Sequence, residues 1–144
     1  MGQYYIVVNL DKREFMHPHF FGDGMKLMEL GSGGTGTMLG LVALLSIGNG
    51  RGGGDLGSDD VIVGSWAGDR IAVVGGYSDG VELDGVVYSY SKIQDEFDNI
   101  SGSVINALAD DSDARFKLNQ SLELRIGSNF LPPRENVFVS GVAR

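Results

Sequence analysis

The sequence predicts a single α+β domain over residues 1–144, with a largely antiparallel mixed sheet and about three helices. Its length is that of one ordinary domain, which can bury roughly 70% of the surface that the unfolded chain exposes. The apolar fraction of 42% and the charged fraction of 21% are near globular averages. Short β-branched runs bounded by turn residues alternate with segments of helical spacing, which favours the α+β class.

The N-terminal segment predicts a β-hairpin. Residues 4–10 are aromatic and β-branched, Asp11 and Lys12 form a polar turn, and residues 13–17 supply the second strand. Pro18 fixes its own φ and disfavours helix before it, so the second strand should end there. The next apolar segment, residues 25–30, shows partial alternation and is predicted to be a third strand.

Three later segments predict helices. Residues 37–45 are apolar nearly all round, which predicts a buried helix ending at Gly48. Apolar residues recur at helical spacing over residues 97–108, with acidic residues near the expected N-terminal end. Ser112 is a candidate N-cap for a helix that ends near Arg125 or Gly127.

The remaining β-rich runs predict further strands. Residues 61–64 and 70–74 are predicted to form a second hairpin, joined by turn residues at 65–69. Another strand is expected at residues 86–90. A last strand is expected at Asn136–Ser140, after Pro132 and Pro133.

The charge of the chain is unevenly distributed. Nineteen acidic and eleven basic residues give a net charge of −8. Residues 55–113 contain thirteen acidic residues against Arg70 and Lys92, a net charge of −11. Such a stretch repels nucleic-acid phosphates and can attract a basic protein surface. We therefore expect no direct nucleic-acid contact and a basic protein surface as a partner, with a purely solvated acidic face as the alternative.

Several protein classes are excluded by composition. The absence of cysteine removes disulfides, thiolate metal sites and cysteine nucleophiles. The longest apolar-rich run, residues 38–47, is far below the roughly 20 residues that span a bilayer, so no membrane association is expected. The N-terminal residues do not resemble a secretory signal, which favours a cytoplasmic protein.

A glycine-rich loop is the sharpest local pattern. Gly31, Gly33 and Gly36 form G-x-G-x-x-G between the predicted strand at 25–30 and the predicted helix that starts at Thr37. A strand, a glycine-rich turn and a helix N-terminus together bind anions through backbone amides. Residues 29–33 resemble the first motif of class I S-adenosylmethionine-dependent methyltransferases. This resemblance implies an alternative function in small-molecule or nucleotide binding.

A second group of candidate ligand-binding residues lies in later loops. Arg51 and Asp55 belong to a second glycine-rich run, whereas Trp66, Asp69 and Arg70 belong to the turn of the predicted second hairpin. Loops of this kind often carry binding residues. The structural alternative is a tight turn closed by an internal salt bridge.

The two histidines are the weakest candidates. His17 and His19, with Asp23 nearby, are residue types that bind zinc or iron. Because Pro18 separates the histidines, chelation by both is doubtful, and neither a metal site nor another cofactor is predicted. No G-x-S-x-G, H-E-x-x-H or kinase motif occurs, so the sequence favours a non-enzyme.

The N-terminal two thirds resemble a group of small uncharacterised bacterial and phage proteins. The similar segments are residues 2–5, 8–12, 22–29, 48–55 and 66–71. The resemblance implies a bacterial or host-cell cytosol and places the two glycine-rich loops on one surface. The leading hypothesis is a binding protein that acts by contact with a partner protein. A self-assembling subunit that pairs through the predicted strand at 136–140 is a third possibility.

Overall fold

The computed structural model describes residues 2–32 and 36–126. It confirms the α+β class: the described residues form five α-helices, a four-stranded mixed sheet and a separate two-stranded sheet. The strands are β1 (Tyr5–Asn9), β2 (Glu14–Met16), β3 (Ile71–Gly75), β4 (Val81–Leu83), β5 (Val86–Tyr88) and β6 (Asp98–Asn99). The helices are α1 (Leu27–Gly31), α2 (Thr37–Leu45), α3 (Tyr90–Glu96), α4 (Ser101–Leu108) and α5 (Ser112–Ile126), and a short 3-10 helix covers Pro18–Phe21.

The main sheet is built on the predicted N-terminal hairpin. Its strand order is β3-β1-β2-β6, with β1 antiparallel to both neighbours and β6 parallel to β2. The hairpin turn is closed because the Asn9 side chain accepts the Lys12 N–H at 2.8 Å, while Arg13 adopts a left-handed φ of 57°. Strands β4 and β5 form the separate antiparallel hairpin.

The sheet is covered on both faces. Val7 of β1 packs into a core that also holds buried residues of α2, α4 and α5. Its neighbours Ile6 and Val8 point to the opposite face and pack with Ile93 of α3 and with residues of the β4–β5 hairpin. About three helices were predicted, and the described residues form five.

The segment at residues 25–30 is helical rather than a strand. Helix α1 starts after Lys26, whose backbone N–H donates to the Glu29 side chain at 3.1 Å, as to the N3 glutamate of a capping box. Only Leu30 of its apolar residues is buried, whereas Leu27 and Met28 are exposed. One helical turn presents too few side chains for its period to be distinguished from that of a strand.

The predicted second hairpin is also wrong. Residues 61–69 form consecutive turns, and β3 pairs with β1 instead. The backbone N–H groups of Gly64 and Trp66 donate to the carbonyls of Ala43 and Leu44 at 3.0 and 2.9 Å. These turns therefore satisfy the free carbonyls at the end of α2.

The predicted helix over residues 97–108 is helical only in its second part, as α4, and residues 98–99 form β6 instead. Phe97 is extended, with ψ of 158°, so Asp95 and Glu96 lie at the end of α3 rather than near a helix N-terminus. Helix α5 is confirmed, but its N-cap is Asp111 rather than Ser112. The predicted strand at Asn136–Ser140 lies outside the described residues, and within them no helix is long and apolar enough to cross a bilayer.

Candidate functional site

A cleft of about 470 Å³ opens between α2, α5 and the second glycine-rich loop. Leu39, Val42, Ala43 and Ser46 line it from α2, at the i, i+3, i+4 and i+7 spacing of one helix face. The other lining residues are Asn49, Gly54, Asp55, Leu56, Asp111, Asp113, Ala114 and Lys117. We call this the α2–α5 cleft.

The rim of the α2–α5 cleft is mainly acidic. Among the described residues, Asp55, Asp111 and Asp113 line it against one cation, Lys117. Asp59 and Asp110 lie in the adjoining segments, which are joined because the Ser58 hydroxyl donates to the Asp110 carboxylate at 3.2 Å. Three acids and one base around an apolar floor match the chemistry of a partner that is both cationic and apolar.

Asp111 fixes one wall of the cleft to the other. One carboxylate oxygen accepts the N–H of Asp113 and Ala114 at 2.9 and 3.0 Å, which caps α5. The second oxygen accepts the Gly57 N–H at 2.6 Å and so holds the glycine-rich loop. These backbone donors, led by Ala114, lower the pKa of Asp111.

The glycine-rich loop is closed by its own side chains. The Asn49 amide donates to the Leu56 carbonyl at 3.0 Å and accepts the Leu56 N–H at 2.8 Å. The Asp55 carboxylate accepts the backbone N–H groups of residues 50, 51 and 52 at 2.9 to 3.0 Å. These donors lower the pKa of Asp55, so its carboxylate organises the loop while Arg51 remains exposed at its surface.

Helix α2 is less buried than its composition predicts. Val42 is 64% exposed, Leu45 is 38% exposed, and Ile47 beyond the helix end is 89% exposed. Val42 lines the cleft directly. Contiguous exposed apolar side chains with polar rims are typical of interaction surfaces, whereas a single exposed residue carries little information.

The predicted anion-binding loop has a different structure from the one expected. Gly31 is the last residue of α1, so the loop follows a helix rather than a strand, and Gly33 lies outside the described residues. At Gly36, with φ of 66°, an added Cβ would collide with the Asp23 carboxylate. That carboxylate already accepts the Thr37 N–H at 2.7 Å, so an anion at this end of α2 would have to displace it.

Trp66, a predicted ligand-binding residue, is a core residue. It is completely buried, and its indole N–H donates to Glu14 at 2.8 Å. Asp69 and Arg70 do not pair with each other. Asp69 binds Lys12 and Asn9, and Arg70 binds Asp11 at 2.6 to 2.9 Å.

The contacts of Asp69 and Arg70 connect the turn before β3 to the turn between β1 and β2. Arg70 also donates its backbone N–H to Asp11 at 2.7 Å, which strengthens the connection. The prediction of a turn closed by an internal salt bridge is therefore wrong: the ion pairs of Asp69 and Arg70 join two different turns.

His17 and His19 lie side by side, with ring centroids 5.4 Å apart. The described residues include no group of three metal-ligating side chains, and the carboxylate of Asp23 is engaged with Thr37. His17 Nδ1 is buried with no hydrogen-bond partner among the described residues. Burial, followed by the neighbouring His19, lowers the pKa of His17.

Comparison of the sequence with protein-family models gives no match, and comparisons with curated proteins and with solved structures give no significant match. The resemblance to small bacterial and phage proteins therefore stays a prediction. The functional interpretation depends on the geometry of the α2–α5 cleft.

Sequence reasoning identified parts of this cleft but not the whole. Asp55 was a candidate residue, and the acidic excess of residues 55–113 was evident. Val42, Asp113 and Lys117 were missed, because the nearly uniform apolar character of α2 does not indicate which of its faces is open. In the sequence, the acidic residues at 110, 111 and 113 were the available signal for the wall of the cleft formed by α5.

Proposed function

We propose that the protein acts by contact, binding a basic amphipathic segment of a partner protein in the α2–α5 cleft. The observation that carries this proposal is the group of exposed apolar side chains Val42, Leu45 and Ile47, of which Val42 lines the cleft beside its acidic rim. An amphipathic helix laid in an apolar groove is a common recognition mode and matches this chemistry.

The apolar face of the partner would pack on the floor formed by Leu39, Val42 and Ala43. Burial of apolar surface contributes roughly 25 cal/mol per Å², offset by the cost of ordering the partner. Lysine or arginine side chains of the partner would meet Asp113 at the exposed rim. Exposed ion pairs add little affinity but fix orientation and reject acidic partners.

Long-range charge supports the same partner chemistry. The net charge of −11 over residues 55–113 includes the acidic residues of the cleft. A field of this sign attracts cationic partners and accelerates their association at low ionic strength. Asp55 and Asp111 accept backbone N–H groups of the glycine-rich loop. These two acidic residues of the cleft therefore also maintain its shape.

Nuclear magnetic resonance of the ¹⁵N-labelled protein tests the location. The probe is a synthetic amphipathic helix of leucine and lysine, and its matched control carries glutamate in place of lysine. We expect the lysine peptide to shift the amide signals of Val42, Ile47, Asp113 and Lys117. Equal binding of the glutamate peptide, or shifts centred on the exposed residues Leu27 and Met28, would contradict the proposal.

A further inference from the structure

The two edges of the main sheet differ in how they are protected. At one edge, β6 has two residues, Asp98 and Asn99, and both are exposed. Short length and charge discourage a strand edge from pairing with another chain. At the other edge, β3 has five residues, Ile71–Gly75, with neither a charged side chain nor a proline.

The hydrogen-bond pattern determines which groups of β3 face outward. Leu10 donates to the Arg70 carbonyl at 2.9 Å, and Gly76 donates to the Tyr4 carbonyl at 2.8 Å. Because bonded and non-bonded pairs alternate in an antiparallel ladder, the backbone groups of residues 70, 72, 74 and 76 face β1. The N–H and C=O groups of Ile71, Val73 and Gly75 therefore face the open edge.

This outer edge is accessible within the described part of the chain. Val73, at its centre, is 43% exposed, and a cleft of about 500 Å³ is lined by β3 and by the start of β4. The Gly75 carbonyl already accepts the Ser78 hydroxyl at 2.8 Å and the Ser78 N–H at 3.3 Å, so the outward carbonyls that can accept from another chain are those of Ile71 and Val73. No described strand pairs with this side of β3.

We propose that the outer edge of β3 pairs antiparallel with β3 of a second copy of the chain. A two-fold axis at Val73 would place Val73 opposite its counterpart and Ile71 opposite Gly75. Val73 would then exchange two hydrogen bonds with its counterpart, and each Gly75 N–H would donate to the Ile71 carbonyl opposite it, because the Gly75 carbonyl is already occupied by Ser78. This symmetry is the argument for a second copy, and the resulting sheet would continue through both chains.

The dependence on salt concentration distinguishes this dimer from the proposed complex with a basic partner. Two chains of net charge −8 repel each other, whereas the paired strand itself carries no charge. Raising the salt from about 0.1 M to about 1 M shortens the Debye length from about 10 Å to about 3 Å. Salt should therefore strengthen self-association and weaken binding of a basic peptide, so either proposal can fail without the other.

Sedimentation velocity over a range of protein concentrations tests the dimer. Wild-type protein should approach twice the mass of 15.4 kDa, at lower concentrations in high salt. Val73→Pro removes an outward N–H and leaves the bonds to β1 intact, so we expect a dissociation constant at least about tenfold higher. Val73→Thr retains the N–H and the β-branch and should dimerise like wild type.

A second variant keeps the test decisive if Val73→Pro does not fold. Val73→Lys retains the backbone donor but places two like charges opposite each other at the two-fold axis, which should also disrupt the dimer. Circular dichroism establishes that each variant is folded. A wild-type monomer at high concentration and high salt, or a dimer unchanged by both Val73→Pro and Val73→Lys, would overturn the proposal.

Amide hydrogen exchange identifies the occupant of the edge. The N–H groups of Val73 and Gly75 should be protected at dimer concentrations and exchange rapidly after dilution to monomer. Protection that persists in a monomer would show that the chain covers its own edge and would overturn pairing with a second copy. Rapid exchange in a protein that never dimerises would overturn it equally.

Discussion

Asp111 accepts the backbone N–H of Gly57 at 2.6 Å, across 54 residues of sequence, while it also caps α5. A single carboxylate thereby sets the distance between the glycine-rich loop and the helix opposite it. The shape of the α2–α5 cleft depends on this contact. Its loss should affect the cleft and the stability of α5 together.

We predict that Asp111→Ala lowers the free energy of unfolding by about 0.5–2 kcal/mol, the usual cost of losing an N-cap. Asp111→Asn retains one acceptor oxygen and should lose less. Urea unfolding followed by the fluorescence of the single tryptophan, Trp66, measures both. Asp79→Ala, at an exposed acid, is the matched control, and an Asp111→Ala midpoint equal to that of this control would contradict the assignment.

Asp23 should stabilise the folded protein through its acceptor oxygen rather than through its negative charge. Thr37 is fully buried, so Asp23→Ala leaves its N–H without this acceptor, at a cost of about 1–3 kcal/mol. Asp23→Asn retains an acceptor and should be at least as stable as wild type near neutral pH. Thermal unfolding compares the three proteins. An equal loss in Asp23→Asn and Asp23→Ala would show that the negative charge is essential.

The pH dependence of Asp23 follows from its burial, which raises its pKa above the usual 3.8. The folded protein binds this proton more tightly than the unfolded chain, so Asp23 reduces stability as the pH rises from the unfolded pKa through the folded pKa. Asp23→Asn should remove that decrease. Its stability relative to wild type should therefore increase on going from acid to neutral pH.

His17 should destabilise the protein in mild acid. Burial lowers its pKa below 6.5, so the unfolded chain binds this proton more readily than the folded chain. Stability should be retained above the unfolded pKa and fall as the pH drops through it towards the folded pKa. His17→Gln should flatten the dependence in this window, measured by urea unfolding at each pH. His19→Gln should flatten it only in part, because burial of His17 remains when the neighbouring charge is removed. Parallel curves for wild type and His17→Gln would contradict the prediction.

Trp66 should act in stability and not in recognition. We expect Trp66→Ala to lose about 3–5 kcal/mol and Trp66→Phe to lose less, because Phe retains most of the apolar volume but cannot donate to Glu14. Circular dichroism follows thermal unfolding without the tryptophan signal. The folded Trp66→Phe protein should bind the lysine peptide as wild type does. A marked loss of affinity would show that Trp66 contributes to peptide binding.

The elements predicted correctly are those specified by neighbouring residues. The β1–β2 hairpin combines β-branched strands with a polar turn, and α5 has both length and an acidic N-terminus. The pairing of β3 with β1 was missed because it joins residues such as Val7 and Val73, far apart in sequence. No local pattern around residues 61–66 indicates that the amides of Gly64 and Trp66 donate to the carbonyls at the end of α2.

The candidate site was harder to predict because its residues have two roles. Asp55 was identified as a loop residue, yet only the structure shows that three neighbouring N–H groups bind its carboxylate. The exposure of Val42 depends on where α5 and the glycine-rich loop leave a gap. Such gaps arise from tertiary packing and are not encoded in hydrophobic periodicity.

The most direct test of the proposed function compares charge reversal at the cleft with the same reversal elsewhere. The affinity for the leucine–lysine peptide is measured by isothermal titration calorimetry for wild type, Asp113→Lys and Asp79→Lys, two variants of identical net charge at exposed positions. We predict a dissociation constant raised between about twofold and about thirtyfold by Asp113→Lys. A smaller effect is expected for Asp79→Lys, with both differences shrinking at high salt. Equal effects of the two variants would show that only overall charge attracts the peptide and would contradict binding in the α2–α5 cleft.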